Sequence, residues 1–109
     1  MEYQLGEFEE LVLLTVAAQH DVAYGVSIHE FLSEETKKKI NISAIHVALK
    51  RLEKKGFVDS RFGGITDERG GRRKKFYIVT ALGKKVLDAS HDLRTSIYRR
   101  IPSLQFTKI

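Results

Sequence analysis

The chain has 109 residues, no cysteine and a formal net charge of +5. This length is typical of one domain, and a hydrophobic fraction of 42% provides a core and excludes a disordered chain. Without cysteine, neither disulfides nor thiolate-bound metal ions can hold the fold together. The longest apolar run, residues 11–18, is too short to span a bilayer, and no basic leader precedes it, so we expect a soluble cytoplasmic domain.

The charges are divided into blocks along the chain. Residues 1–36 contain eight acidic residues and no Lys or Arg, for a net charge of −8. Residues 37–75 contain thirteen basic and four acidic residues, for +9, and residues 76–109 carry +4. A surface charged only for solubility would spread its charge along the whole chain, so the basic block favours binding of a polyanion.

The first predicted helix covers residues 5–19, and its apolar residues occupy more than half of its circumference. Such a helix needs neighbours on two sides. One neighbour is the core of the chain, and the other is either a second subunit or more of the same core. A connector, residues 20–23, and a second predicted helix, residues 24–36, follow.

The third predicted helix, residues 41–56, has one apolar and one cationic side. Asn41 or Ser43 caps its start, because either side-chain oxygen can accept a bond from a free N–H of the first turn. Gly56 ends it, since glycine adopts a left-handed backbone at little cost. The apolar stripe comprises Ile45, Ala48, Leu49 and Leu52, and the cations off this stripe are Lys50, Arg51, Lys54 and Lys55. A helix of this kind packs on a core and contacts an anion at the same time.

A β-hairpin follows the third helix. Its predicted strands are residues 57–62 and 72–80, and the loop between them, residues 63–71, contains four glycines and is predicted to be flexible. The second strand is basic at its start and rich in β-prone residues after it. The loop lacks the spacing of a Walker-type phosphate site, so a hairpin tip is the better interpretation.

The last predicted helix covers residues 80–101, with Thr80 as its cap and Pro102 at its end. Apolar residues recur every three or four positions along it, as in a coiled coil. At ~1.5 Å per residue the helix is about 30 Å long, which is long for so small a domain. We therefore expect part of the stripe to face a partner; the alternative is a helix folded back on its own core.

Three helices followed by a basic hairpin predict a winged helix, a mainly α fold with a small β-hairpin. The third helix of such a unit enters the DNA major groove, and the hairpin, or wing, lies along the backbone or in the minor groove. Lys and Arg contacts to phosphates supply most of the affinity. Base choice must come from short side chains at the front of the third helix.

Four segments together resemble the PadR family of bacterial winged-helix transcription regulators. They are LGEFEELVLLTVA (residues 5–17), AYGVSI (23–28), INISAIHVALKRLEKKGFV (40–58) and ERGGRRKKFYIVTALGKK (68–85). The RLE-x-x-G signature and the ERGGR wing are fairly specific as a set. The family usually has tyrosine where this chain has His46, and often glycine where it has Ser43.

The resemblance implies a homodimer joined through the last helix with help from the first. It also implies a repressor that a ligand or another signal releases from DNA. Because only one helix and a short tail follow the wing, an effector would bind between the helices near the dimer interface.

We therefore assign residues 1–79 to a winged-helix DNA-binding domain and residues 80–109 to a dimerisation helix and short tail, together forming one compact unit. The residues predicted to contact DNA are Tyr24, Lys39, Asn41, Ser43, Ala44, His46, Val47, Lys50, Arg51, Lys54, Arg69, Gly70, Gly71, Arg72, Arg73 and Lys74. The residues predicted to form the dimer interface are Phe8, Leu11, Val12, Leu82, Val86, Ala89, Leu93, Ile97 and Ile101.

Three other functions would require different partners or different residues. A winged helix used as a protein-interaction module would bind an acidic partner, and failure to bind any duplex at low salt would favour it. A single-strand RNA-binding protein needs exposed aromatic side chains as stacking platforms, but Phe57, Phe76 and Tyr77 lie at predicted core positions. No nucleophile–base pair, carboxylate dyad or metal-ligand spacing indicates an enzyme, and we expect no cofactor.

Overall fold

Four helices and three short strands follow one another along the chain. The computed structural model describes residues 5–65, 73–103 and 106. The helices are α1 (Glu7–Ala18), α2 (Gly25–Thr36), α3 (Ile42–Lys54) and α4 (Ala81–Tyr98). The strands are β1 (Ala23–Tyr24), β2 (Val58–Ile65) and β3 (Arg73–Val79). This order confirms the predicted winged helix with a C-terminal helix.

The sheet contains one strand more than the predicted hairpin. Its order is β1-β3-β2, and both pairings are antiparallel. Strand β1 pairs Ala23 with Tyr77 and Tyr24 with Phe76. Tyr24 therefore belongs to a strand and not, as predicted, to the second helix. A two-residue strand is too short to have a recognisable period, so only its pairing with β3 defines it.

Strand β2 is longer than predicted. It continues to Ile65, and a register shift between Phe62 and Ile65 interrupts its pairing with β3. Residues 63–65, predicted as part of the hairpin loop, thus belong to β2, and residues 66–72 lie outside the described residues.

The core lies between the helices and the inner face of the sheet. Its largest fully buried side chains are Phe57, Leu13, Ile28, Ile45, Leu49, Leu52, Val12, Val16 and Val58. Val12 was predicted for the dimer surface, and this prediction is wrong because its side chain is 0% exposed within the chain. The apolar circumference of α1 is divided instead: Val12, Leu13 and Val16 face the core, whereas Leu11 and Leu14 remain exposed.

The predicted helix caps are present. Asn41 Oδ1 accepts the backbone N–H of Ser43 at 2.9 Å, and Thr80 Oγ1 accepts that of Gly83 at 3.0 Å. Gly56 adopts the expected left-handed backbone, with φ +82°. Pro102 does not itself end the last helix, because α4 already ends at Tyr98. A proline disfavours helical backbone at the residue before it, here Ile101, so α4 could not easily have continued through that position.

The first half of α4 packs into the core, and the second half is mostly exposed apart from polar contacts to α1. Thr80 Oγ1 donates to the carbonyl of Gly56 at 2.7 Å, which joins the start of α4 to the end of α3. The buried residues of α4 are Gly83, Val86 and Leu87, all in its first half. The described part of the chain measures 59 × 34 × 20 Å. Among the described residues, no helix is both long enough and apolar enough to span a membrane.

Candidate nucleic-acid interface

The outer face of α3 is polar and basic along its centre. Ser43, Val47, Lys50 and Lys54 recur at three- or four-residue intervals, and all four are exposed. Lys50 and Lys54 form no ion pair with any residue in 5–65, 73–103 or 106. The opposite stripe of Ile45, Ala48, Leu49 and Leu52 is buried, as predicted. Core packing therefore determines which side of the helix is presented to solvent.

One flank of this face meets α1. The carboxylate of Glu9 accepts a hydrogen bond from Lys55 Nζ at 2.7 Å and lies 3.7 Å from Arg51 Nη1. Glu9 is buried, although the Arg51 side chain remains 66% exposed. Between the start of α1 and the side of α3 there is a shallow groove, to which Phe8, the half-buried Ala44 and Val47 contribute.

The other flank meets the sheet. Ser60 Oγ donates to Glu53 Oε2 at 2.6 Å, and Lys75 Nζ lies 3.6 Å from Glu53 Oε1. On each flank of α3, one carboxylate thus pairs with cations: Glu9 of α1 on one side and Glu53 of α3 on the other. Lys50 and Lys54, which pair with no carboxylate of the described residues, lie between the two.

His46 connects α3 to the start of α2. Its ring lies so close to Gly25 that a Cβ at that position would come within 2.7 Å of His46 Cε1. The next residue towards the N-terminus, Tyr24, accepts the ammonium of Lys74 over its ring, with 4.4 Å between Nζ and the centroid. The structure thus brings the predicted contacts Tyr24, His46 and Lys74 to one end of α3.

A row of aromatic and cationic side chains crosses the outer face of the sheet at the base of the wing. Tyr24 pairs with Phe76, and Phe76 pairs with Arg61 in the strand register. The two rings meet edge to face at 5.7 Å, and the Arg61 guanidinium lies 5.6 Å from the centre of the Phe76 ring. A Cβ on Gly63 would lie 2.6 Å from the Phe76 ring, so a larger residue at this position would displace the ring.

The remaining predicted contacts are distributed around this face. Asn41 and Lys39 are exposed just before α3, and Arg73 is exposed at the start of β3. Arg69, Gly70, Gly71 and Arg72 lie outside the described residues.

Sequence reasoning missed the side chains that flank the contact face. Glu9 and Arg61 were given no role, and Phe76 was predicted to lie in the core, whereas its ring lies on the outer face of the sheet against Arg61. The alternation of the two strands gave a partial signal for Arg61 and Phe76, because directly paired residues share a face. For Glu9 no local signal exists, since its partners are more than forty residues away in the chain.

A second surface consists of the exposed apolar side chains of α1 and α4. Its exposed members are Leu11, Leu14, Ala89, Leu93, Ile97 and Ile101, with Phe8 and Leu82 half-buried at its edge. Val86, predicted for the same interface, is only 7% exposed because it packs into the core. Glu10 of α1 joins the two helices, since it accepts hydrogen bonds from Ser90 Oγ at 2.7 Å and from Arg94 Nη2 at 3.2 Å.

Comparison with known proteins supports this architecture. The sequence model of the transcriptional regulator PadR-like family matches residues 13–89. An uncharacterised protein of Lysinibacillus sphaericus is 32% identical over 84 residues, which cover 75% of this chain and 72% of that protein.

Solved structures show the same fold. The structure of smu.1704 from Streptococcus mutans UA159 is 31% identical, with a TM-score of 0.64, over 91% of this chain and 87% of that one. A PadR family transcription regulator from Clostridium difficile R20291 is 22% identical, with a TM-score of 0.65, over 84% of this chain and 92% of that one. The family match covers more than half of the sequence, so the chain belongs to the PadR-like family of transcriptional regulators.

Proposed function

We propose that this protein is a sequence-specific regulator that binds double-stranded DNA with α3 in the major groove and the wing on the adjacent backbone. The observation that carries the proposal is the exposed centre of α3, where Lys50 and Lys54 form no ion pair with any described residue. A lysine without a carboxylate partner can contact a phosphate without first breaking an ion pair. The charge block of +9 over residues 37–75 places the wing and α3 in the same positive field.

The proposed contacts divide into two classes. Phosphates are contacted by cations on α3, before it and along the wing: Lys39, Lys50, Arg51, Lys54, Arg69, Arg72, Arg73 and Lys74. Base edges and the nearest sugar–phosphate atoms are contacted by the smaller or uncharged side chains and the wing glycines: Tyr24, Asn41, Ser43, Ala44, His46, Val47, Gly70 and Gly71. Phosphate contacts position the protein, and base contacts specify the sequence.

The protein acts in this proposal as a homodimer. The exposed apolar surface of α1 and α4 continues beyond the core along the second half of α4, where Leu93 and Ile97 are 63% and 56% exposed. Burial of such a stripe against a second copy would remove it from water. Two copies of α3 would then contact two half-sites.

We propose further that the dimer represses transcription by occupying its operator and that an effector releases it. Grooves beside Glu10 and Arg94, between α1 and α4, adjoin the proposed dimer surface. A molecule bound there would change the packing of α4 on α1, and with it the separation of the two α3 helices.

The first experiment is a fluorescence-anisotropy titration of the purified protein with the duplex upstream of its own gene and with a scrambled duplex, at two salt concentrations. We expect binding to the upstream duplex to be at least ~10³-fold tighter and strongly salt-dependent. Equal, salt-sensitive binding to both duplexes would indicate an operator elsewhere or a DNA-coating protein. Absence of binding to either at low salt would contradict the proposal and favour a module that binds an acidic protein.

A further inference from the structure

Glu9 is a carboxylate that the DNA-binding proposal does not use, although it contacts α3 directly. Its side chain is only 11% exposed. One oxygen accepts the Lys55 ammonium at 2.7 Å, and the other lies 3.7 Å from the Arg51 guanidinium. The three groups together carry one net positive charge, where Arg51 of α3 and Lys55 just after it would otherwise carry two.

Arg51 differs from Lys50 and Lys54 because it lies between the Glu9 carboxylate and the exposed face of α3. It lies one turn beyond Val47 on the exposed face, and its side chain is 66% exposed. At 3.7 Å the guanidinium donates no hydrogen bond to Glu9, but the carboxylate attracts the same positive charge that a phosphate of DNA would attract. An opposite charge within about 4 Å competes directly with a phosphate for the same cation.

We propose that Glu9 limits DNA affinity by competing with phosphates for Arg51 and Lys55; this inference rests on the DNA-binding function proposed above. Lys50 and Lys54 then make the principal phosphate contacts of α3, while the Glu9 carboxylate restrains Arg51 and Lys55 on the side facing α1. The result is a lower affinity for DNA of any sequence, which favours a regulator that must leave non-specific sites and respond to a signal.

A purely structural role for Glu9 would give a different result. A pair that only fastens α1 to α3 affects the free energy of unfolding, whereas competition with phosphate affects the number of counterions released on binding. The slope of log K against log salt concentration reports that number. The slope therefore distinguishes competition with phosphate from a purely structural role, even if the Glu9 ion pairs also stabilise the fold.

The test compares Glu9→Gln with the native protein. The probe is a short fluorescein-labelled duplex of mixed sequence, because phosphate contacts do not depend on sequence. Glutamine has the same shape without the charge, so we expect tighter binding and a salt dependence steeper by ~0.9 for each additional phosphate that the protein neutralises. Thermal melting and light scattering of each variant show whether the fold and the oligomeric state are retained.

Asp88→Asn is the matched control. Asp88 lies on α4, and its carboxylate holds Lys84 at 2.7 Å and no cation of α3. The control makes the same change in net charge and also frees one lysine, but at a position away from α3. We expect its slope to equal that of the native protein; an equal increase in both variants would overturn the inference, because the effect would then be one of overall charge.

Arg51→Ala supplies two further comparisons, and the one with Lys50→Ala in the native protein does not depend on the stability of the Glu9 variant. We expect Arg51→Ala to reduce the slope more in the Glu9→Gln protein than in the native one, and Lys50→Ala to reduce it more than Arg51→Ala in the native protein. Equal effects of Arg51→Ala in both backgrounds, or a larger effect than that of Lys50→Ala, would overturn the inference. If the native protein binds the duplex and Glu9→Gln does not change its slope, only this inference fails; if the native protein does not bind at all, the proposed function fails with it.

Discussion

The imidazole of His46 on α3 lies directly over Gly25, the first residue of α2. A Cβ at Gly25 would be 2.7 Å from His46 Cε1 and 3.3 Å from Nε2, well inside normal contact distance. The absence of a side chain at Gly25 therefore allows the ring to rest against the start of α2. This contact links the start of α2 to the proposed base-reading end of α3.

Gly25→Ala tests this contact by a double-mutant cycle with His46→Ala. In the His46→Ala protein we expect Gly25→Ala to increase the free energy of unfolding, by up to about 1 kcal/mol, because alanine favours a helix. With His46 present, the new methyl group displaces the ring, so the increase should be smaller or reversed. Urea denaturation measures the four proteins, and additive effects would show that the ring does not rest on Gly25 in solution.

Gly83→Ala is expected to be strongly destabilising. A Cβ at this position of α4 would lie 2.2 Å from the carbonyl oxygen of Phe57, which is backbone and cannot rotate away. Alanine would add about 1 kcal/mol through its helix propensity, but overpacking against a fixed backbone costs typically about 1–3 kcal/mol and sometimes more. We expect a net loss in thermal or urea denaturation. Gly6→Ala is the steric control, since a Cβ there would meet nothing within 4 Å, and its only expected loss comes from the poorer fit of alanine to the N-cap of α1.

Lys50→Ala and Lys54→Ala should each weaken DNA binding and reduce its salt dependence. The loss of one phosphate contact lowers the slope of log K against log salt by ~0.9 per protomer. Lys84→Ala is a matched control on α4, where the ammonium is held by Asp88 at 2.7 Å. Anisotropy titrations over a range of salt concentrations measure the slope, and a slope unaffected by Lys50→Ala would remove this residue from the interface.

Tyr77 should make the protein less stable at alkaline pH. Burial raises the pKa of its phenol above the ordinary value of 10.0, and nearby Lys75 opposes that shift. The folded state therefore retains the proton more strongly than the unfolded state. The corresponding stability is fully present below pH 10.0 and is lost as the pH rises from there through the higher folded pKa.

Tyr77→Phe should remove this part of the alkaline loss. We expect the unfolding free energy of the variant to fall less than that of the native protein above pH 10.0, as measured by urea denaturation across that range. Tyr98→Phe, which changes an exposed tyrosine on α4, is the control. Parallel pH curves for the native protein and Tyr77→Phe would contradict the prediction.

Leu93→Glu should convert the proposed dimer to a monomer. Leu93 is 63% exposed within the chain, so the substitution leaves the core intact and places a charge in the proposed interface. Light scattering measures the mass, and circular dichroism shows whether the helices are retained. His91→Glu, at an exposed position on another side of α4, should remain a dimer. A native mass equal to that of one chain would contradict the dimer itself.

Local sequence features predicted the elements well because their causes lie within a few residues. The stripe from Ile45 to Leu52, the cap at Asn41 and the glycine at the end of α3 all act over one or two helical turns. The acidic and basic blocks can likewise be counted from the sequence without a structure. For these reasons the helices, the hairpin and the basic character of α3 followed from the order of residues alone.

Tertiary structure decided which residues remain available to a partner. Val12 and Leu11 are adjacent and equally apolar, yet only Leu11 keeps exposed surface after α1 packs on the core. Glu9 joins Lys55, 46 positions along the chain, and Glu10 joins Ser90, 80 positions along it. Such contacts depend on the path of the whole backbone, because an ion pair forms only where folding brings two side chains within a few ångströms. Amphipathic periodicity thus determined the helices, and packing between them determined which of their charges and apolar groups remain exposed.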